Sequence, residues 1–231
     1  MAPVDEPVAA SLKEDFLGRL APETAQELRD IGVRRRFPAG AVLFLEGDAA
    51  YEALVVLRGE LKVTVGTREG REVVLDVFGP GALLGELSVI DGKPRSATVS
   101  ALSAVEVLSI PTAPFNDFLD RHPRVLAGLL VDVIGRLRNQ ARHQLEFGAG
   151  DALGRVCARL LVLADRYGEK QDGVVLVRCP LSQTDLAAWT GLSREAVVKA
   201  LRALRQLGWV DNRGRAITIH DIERLRGRAT H

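Results

Sequence analysis

The chain has 231 residues, 47% of them hydrophobic and 26% charged, with a formal net charge of +1. The length suits one or two ordinary domains, and the composition is that of a globular chain, which excludes a disordered or collagen-like one. No run approaches the ~18 apolar residues of a membrane helix. The opening MAPVDEPVAASLKEDF lacks a basic leader followed by an apolar stretch, so the expected compartment is the cytoplasm, with no membrane partner. The two cysteines, Cys157 and Cys179, form no CxxC pair. They read as small buried thiols rather than as ligands of a metal or cluster, and no disulfide framework is expected. The small net charge hides an asymmetry: residues 1–122 sum to −6 and residues 123–231 to +7. An acidic front and a basic back suggest two jobs, the second facing a polyanion.

In chain order, residues 11–31 predict a helix, with Leu12, Phe16, Leu20 and Leu28 spaced for one face. From Arg34 to about Pro111 the texture is short β-rich runs broken by glycines, with Val63, Val65, Val73 and Leu75 alternating with polar neighbours. That pattern predicts an antiparallel barrel or jelly-roll-like β-roll. Asp117 to Phe147 predicts one long helix. Leu126, Leu130, Val133, Leu137, Gln140, Gln144 and Phe147 recur at alternating spacings of four and three, as in the seam of a two-stranded coiled coil. The alternative is a helix packed on its own domain. A polar seam position such as Gln140 costs stability, so it points to a task such as fixing register or meeting a ligand.

Gly148 and Gly150 then break the helix, and Asp151 is placed to cap the next one. This is the predicted hinge. It divides an α+β chain into a β-roll domain over 1–116, a dimerisation helix over 117–147 and a DNA-reading domain over 148–231. Residues 152–167 predict a helix, GEKQDG (168–173) a polar surface loop and VVLVRCP (174–180) a short strand.

The segment LSQTDLAAWTGLSREAVVKALRALRQLGWV predicts two helices joined by a tight turn at Gly191. Ser182 with Asp185 is a capping-box-like start, Ser193 caps the second helix and Gly208 ends it. Val197, Leu201 and Leu204 form the inward stripe of that second helix, while Glu195, Lys199 and Arg202 share another face beside Arg194. A recognition helix needs this division: one face buried, the other offering long hydrogen-bonding side chains to base edges in the major groove. An ordinary amphipathic helix with a solvated face is the bland alternative. The hairpin WVDNRGRAITIH, carrying Arg213 and Arg215, argues for a winged helix-turn-helix whose arginines meet phosphates. Ser182 and Gln183, at the start of the first helix, join the DNA-facing set.

In the β region, PGALLGELSVIDGKPRSATVSA holds two cassettes: Gly85-Glu86-Leu87 and Arg95-Ser96-Ala97. A glycine lets backbone approach an anion, and a helical turn after it aims N–H groups at a phosphate. Arg95, read as the head of an otherwise apolar strand, calls for a partner, and a phosphate offers bidentate acceptors. Glu86 would accept from a ribose hydroxyl. A structural Glu86–Arg95 ion pair is the alternative.

The order of β-roll, GEL…RSA cassette, long helix, hinge and SREAVxK helix resembles the cyclic-AMP receptor protein family over roughly residues 30–225. The resemblance implies a homodimeric, non-enzymatic transcription regulator with no tightly bound cofactor. It implies a cyclic nucleotide effector, cyclic AMP first, whose phosphate meets Arg95 and Ser96 and whose ribose meets Glu86 beside Gly85. It also implies double-stranded, palindromic TGTGA-like DNA read by Arg194, Glu195 and Lys199, and contact with RNA polymerase near 168–173. One departure stands out. The family's Thr-Ser or Thr-Asn pair for the adenine amine is matched here by Gln140 and Ala141, and Ala141 cannot hydrogen-bond. Weaker cyclic-AMP binding, another effector or nucleotide-independent activity is the alternative that follows. No cysteine precedes Cys157, against the family's iron–sulfur branch. His122, His143, His220 and His231 read as surface residues, against its haem branch. An enzyme under nucleotide control and a pure protein-interaction module are the rival classes; residues 148–231 offer neither a catalytic triad order nor a P-loop.

Overall fold

A computed structural model describes residues 15–149, 151–171, 173–178, 181–213 and 216–229, with backbone alone for 139–149, 178, 212 and 213. Where one helix is expected over 11–31, the described part is a 3-10 turn at Leu17–Arg19 followed by α1 (Pro22–Asp30). Leu20 is extended, and Ala21 leaves the helical region because a residue directly before proline is pushed out of it, while Pro22 itself suits a first helical turn. Phe16 and Leu28 are still buried together in one cluster.

Eight strands follow: β1 (Val33–Phe37), β2 (Val42–Phe44), β3 (Glu52–Arg58), β4 (Leu61–Gly66), β5 (Glu72–Phe78), β6 (Leu83–Leu84), β7 (Thr98–Ala101) and β8 (Val105–Pro111). They form two four-stranded antiparallel sheets, ordered β1-β8-β3-β6 and β2-β7-β4-β5, which is the expected β-roll. The period-two alternation of a strand explains β3, which is apolar along its length. Leu54 and Val56 face the other sheet, among Phe44, Leu61, Phe78, Val99 and Val107. Ala53 and Val55 face Leu28, Ile110, Phe115 and Phe118. A short helix, α2 (Glu86–Asp91), bridges β6 and β7.

The long helix is also divided. Helix α3 (Thr112–Arg121) ends at His122, whose non-helical backbone precedes Pro123, and α4 (Pro123–Ala149) runs on for 27 residues. His122, expected at the surface, is half-buried, its ring 4.6 Å from Phe118 and its Nε2 2.7 Å from Glu27. Along α4, Leu130 and Leu137 are 60% and 64% exposed, and Leu126 is exposed as well. The described part of the seam is therefore exposed at Leu126, Leu130 and Leu137 and half-buried at Val133.

The C-terminal domain comprises α5 (Ala152–Tyr167), β9 (Gly168–Gln171), β10 (Val174–Arg178), α6 (Gln183–Thr190), α7 (Arg194–Gln206), β11 (Val210–Arg213), β12 (Ala216–Ile219) and α8 (Ile222–Ala229). The expected loop over 168–173 is instead largely strand: Gly168–Gln171 pairs with β10 in an antiparallel hairpin. The polar composition that suggested a loop reflects its exposed face. The four strands form a sheet ordered β11-β12-β10-β9 beside a core of Val156, Leu160, Leu163, Trp189, Val197, Leu201 and Leu204. Val74 and Val77 of β5 belong to this same core, so the two domains of the chain are packed against each other.

Candidate effector cavity and nucleic-acid interface

Gly85 sits before α2 with φ +78°, a left-handed conformation that glycine adopts without strain. A Cβ there would lie 2.5 Å from Arg95 Nη1 and 2.6 Å from the Phe44 ring. The glycine thus allows α2, Phe44 and Arg95 to converge. Arg95 precedes β7 rather than heading it: its backbone N–H bonds the Asp48 carbonyl, and its own carbonyl accepts from Gly47. The side chain is 5% exposed. Nη1 donates to the Gly85 carbonyl at 3.0 Å and Nη2 to the Glu52 carbonyl at 2.6 Å. The guanidinium lies 3.5 Å from the centroid of Phe44, a cation–π stack. Burial pulls its pKa below the ordinary arginine value, while the charges of Glu52, Glu86 and Asp48 oppose the shift.

The Glu86–Arg95 ion pair is not formed. Glu86, 1% exposed, is bonded instead to Arg136 of α4. Arg95 is held in place by two carbonyls and an aromatic face, and a planar bidentate donor is thereby oriented without being neutralised by a bonded carboxylate.

Gly85, Glu86, Leu87, Arg95, Ser96 and Ala97 all line one cavity of about 420 Å³. Helix α4 contributes Val133, Arg136 and Leu137, and α5 contributes Val162 and Arg166. Gln140 and Ala141 follow on α4 within the next turn, but their side chains lie outside the described residues. Sequence reasoning did not find Phe44, Asp76, Arg136, Val162 or Arg166. Arg136 stands fifty residues from Glu86 with only its place beside the seam to mark it, and Val162 and Arg166 belong to a helix that reads as part of another domain.

In the C-terminal domain, the Ser182 hydroxyl accepts from the Asp185 N–H at 3.0 Å, and the Asp185 carboxylate accepts from the Ser182 N–H at 3.0 Å. The capping box is complete. Gly191, with φ +64°, makes the turn, and Ser193 caps α7 by accepting from Ala196 at 3.2 Å. On α7, Val197, Ala200, Leu201 and Leu204 are buried, while Arg194, Glu195, Lys199 and Arg202 are exposed together. Ser182 and Gln183 are exposed at the start of α6. The Glu195 carboxyl is held below its ordinary pKa by its own backbone N–H, the Ser193 hydroxyl and nearby Arg194. Strands β11 and β12 form the wing hairpin, but the Arg213 side chain and all of Arg215 lie outside the described residues. At the predicted hinge, Gly148 does not break the helix as expected, since the backbone of α4 continues through it to Ala149; Gly150 is outside the described residues, and Asp151 caps α5 by accepting from Gly154 at 2.8 Å. Asp151 also pairs with Arg228 of α8, a helix that sequence reasoning did not assign.

Two family models match the chain: Cyclic nucleotide-binding domain over residues 34–122 and Crp-like helix-turn-helix domain over residues 154–228. A CRP-like cAMP-activated global transcriptional regulator of Mycobacterium tuberculosis is 32% identical over 193 residues, covering 84% of this chain and 86% of the relative. The chain belongs to the cyclic-AMP receptor protein family of transcription regulators. The cAMP-activated global transcriptional regulator CRP of Escherichia coli O157:H7, a further family member, is 26% identical over 80% of this chain and 88% of its own. In fold, FixK2 from Bradyrhizobium japonicum superposes with TM-score 0.77 at 22% identity, covering 86% of this chain and 97% of its own. The c-di-GMP responsive global regulator CLP of Xanthomonas campestris superposes with TM-score 0.74 at 23% identity, covering 87% and 100%. Family membership fixes the coarse function: this is a DNA-binding transcription regulator with a cyclic-nucleotide-binding domain. Among the described residues no helix is long and apolar enough to cross a membrane.

Proposed function

We propose that the protein is a cytoplasmic, cyclic-AMP-responsive regulator that acts as a homodimer on palindromic, TGTGA-like DNA. The observation that carries this reading is Arg95, oriented by carbonyls and Phe44 rather than by a bonded carboxylate, in the wall of a cavity it shares with Ser96 and Glu86. Arg95 and Ser96 would take the cyclic phosphate, Glu86 the ribose hydroxyl, and Gln140 the adenine edge, with Ala141 contributing only contact. Gly85, Leu87 and Ala97 shape the floor. Residues 117–147 would pair two subunits through the exposed Leu126, Leu130 and Leu137. The parts over 1–116 and 148–231 would move relative to each other about Gly148, Gly150 and Asp151. A ligand shifts that balance only by its differential affinity for the two settings.

On DNA, Arg194, Glu195 and Lys199 would read base edges, with Arg202, Ser182, Gln183, Ser193 and the wing arginines Arg213 and Arg215 at the backbone. Residues 168–173, whose strand β9 is largely exposed, are the surface proposed for RNA polymerase. A second reading keeps the DNA chemistry but changes the effector or dispenses with it. The Glu86–Arg136 pair favours it, because it engages the carboxylate that ribose would need.

Footprinting on a palindromic site with and without cyclic AMP tests the proposal, with sedimentation for the dimer. Protection of two half-sites about one helical turn apart, strengthened by the nucleotide and lost with Lys199→Ala, is the expected result. Nucleotide-independent protection would favour the second reading.

A further inference from the structure

The effector cavity has a wall that does not come from the nucleotide-binding domain. Val162 and Arg166, both on α5 of the DNA-binding domain, line it together with Asp76 of β5. Arg166 Nη1 and Nη2 reach the two Asp76 carboxylate oxygens at 2.7 and 3.0 Å, a fork-to-fork pair, and Nη1 also donates to the Val77 carbonyl at 2.8 Å. Tyr167 donates to the same carbonyl at 3.3 Å. A second tie lies on the neighbouring strand, where Lys62 Nζ meets the Asp185 carboxylate of the α6 capping box at 2.9 Å. Between the two ties, Val74 and Val77 are buried in the core of the DNA-binding domain.

We propose that the DNA-binding domain closes the effector cavity of its own chain, and that Arg166 is the positioning residue through which a cavity occupant and the seat of that domain sense each other. The inference rests on reading this cavity as the effector site. The physical reason is continuity: Asp76 and Arg166 are at once wall of the cavity and anchor of the domain. An anionic occupant adds negative charge beside a carboxylate–guanidinium pair, so it changes the strength of the anchor. By linkage, weakening the anchor must change the affinity for the occupant. This coupling runs within one chain and does not pass through the hinge.

The test uses full-length wild type, Asp76→Asn, Arg166→Gln and the charge-exchanged double variant D76R/R166D. Two readouts are taken: hydrogen–deuterium exchange over 72–78 and 152–167 without nucleotide, and calorimetric titration with cyclic AMP. Each single variant is expected to speed exchange in both segments and to change the cyclic-AMP Kd by about fivefold or more, the lower range of allosteric couplings. The exchanged pair should restore most of the protection, which a variant that merely misfolds would not do. Unchanged exchange in both single variants would overturn the seat. Faster exchange with an unaltered Kd would overturn the coupling. If wild type gave no heat with cyclic AMP while the single variants still loosened both segments, the effector assignment would fall, the coupling with it, and the seat alone would stand.

Discussion

Glu86 is bonded to Arg136, a residue of α4, in the lining of the cavity that also holds Arg95. A carboxylate 1% exposed is tolerable because it has a cationic partner. Removing that partner is more costly than removing both. Arg136→Gln is therefore expected to cost about 1–3 kcal/mol of stability, and E86Q/R136Q less than the two single losses added. Denaturant unfolding of the four proteins in a double-mutant cycle checks this; strict additivity would show that the pair contributes nothing.

Gly85→Ala should strike the cavity directly. The left-handed backbone alone costs a residue with a Cβ about 1–2 kcal/mol, and the new atom would press on Arg95 and Phe44. The guanidinium must shift from its stack, so cyclic-AMP affinity is expected to fall about tenfold or more, an energy of about 1.4 kcal/mol. Calorimetry reads the affinity and thermal unfolding the strain. Affinity at the wild-type level would mean that Arg95 does not hold the phosphate.

Much of this site was legible from the sequence. GEL and RSA marked the two segments because glycine, carboxylate and guanidinium at that spacing are chemically costly to place near an apolar strand without a use. The capping box at Ser182 and Asp185 and the divided faces of α7 were legible for local reasons, since caps and helical periodicity are written within a few residues. The tertiary partners were not. Nothing in a linear reading ties Glu86 to Arg136, or Asp76 to Arg166, because each pairing is set by how sheets and helices stack. The two helix breaks at Pro22 and Pro123 were available in principle, since proline restricts the residue before it; apolar periodicity ran across Pro22 and concealed it, whereas the seam of the long helix begins only at Leu126, after Pro123. The strand character of 168–171 was hidden by its polar, exposed face.

The tie between Lys62 and Asp185 has a pH signature. Burial would raise the Asp185 carboxyl, but bonds from Ser182 and Lys62 outweigh it and hold the group below the ordinary value. Burial likewise would lower the Lys62 ammonium, and its pairing with Asp185 and Glu72 lifts it above the ordinary value instead. A depressed carboxyl stabilises above its unfolded pKa and loses that contribution as pH falls through the folded one. A raised ammonium stabilises below its unfolded pKa and loses that contribution as pH rises through the folded one. The tie is therefore complete between about pH 4 and pH 10. Asp185→Asn, which also weakens the α6 cap, is expected to cost about 1 kcal/mol at pH 7 and progressively less below about pH 4. Unfolding midpoints of both proteins across that range measure it; a constant difference down to low pH would contradict the pairing.

Cys157 lies in the core of the DNA-binding domain, fully buried, and burial pushes its thiol up to about 11. At pH 8 it is protonated and shielded, and a thiol is a poor nucleophile. Iodoacetamide is expected to leave the Cys157 peptide unmodified in the native protein and to label it fully after unfolding in denaturant. Mass spectrometry of the digest decides. Rapid native labelling would mean that the core around Leu160 and Val156 opens readily.

The most direct test of the account is calorimetric titration of nucleotide-free wild type and Arg95→Ala with cyclic AMP, with cyclic GMP alongside. The account predicts binding of cyclic AMP in the micromolar range, about −8 kcal/mol, that is lost in Arg95→Ala while the variant keeps its fold. No heat from either nucleotide with wild type, or equal binding by Arg95→Ala, would contradict the claim that Arg95 and this cavity make the protein a cyclic-nucleotide sensor.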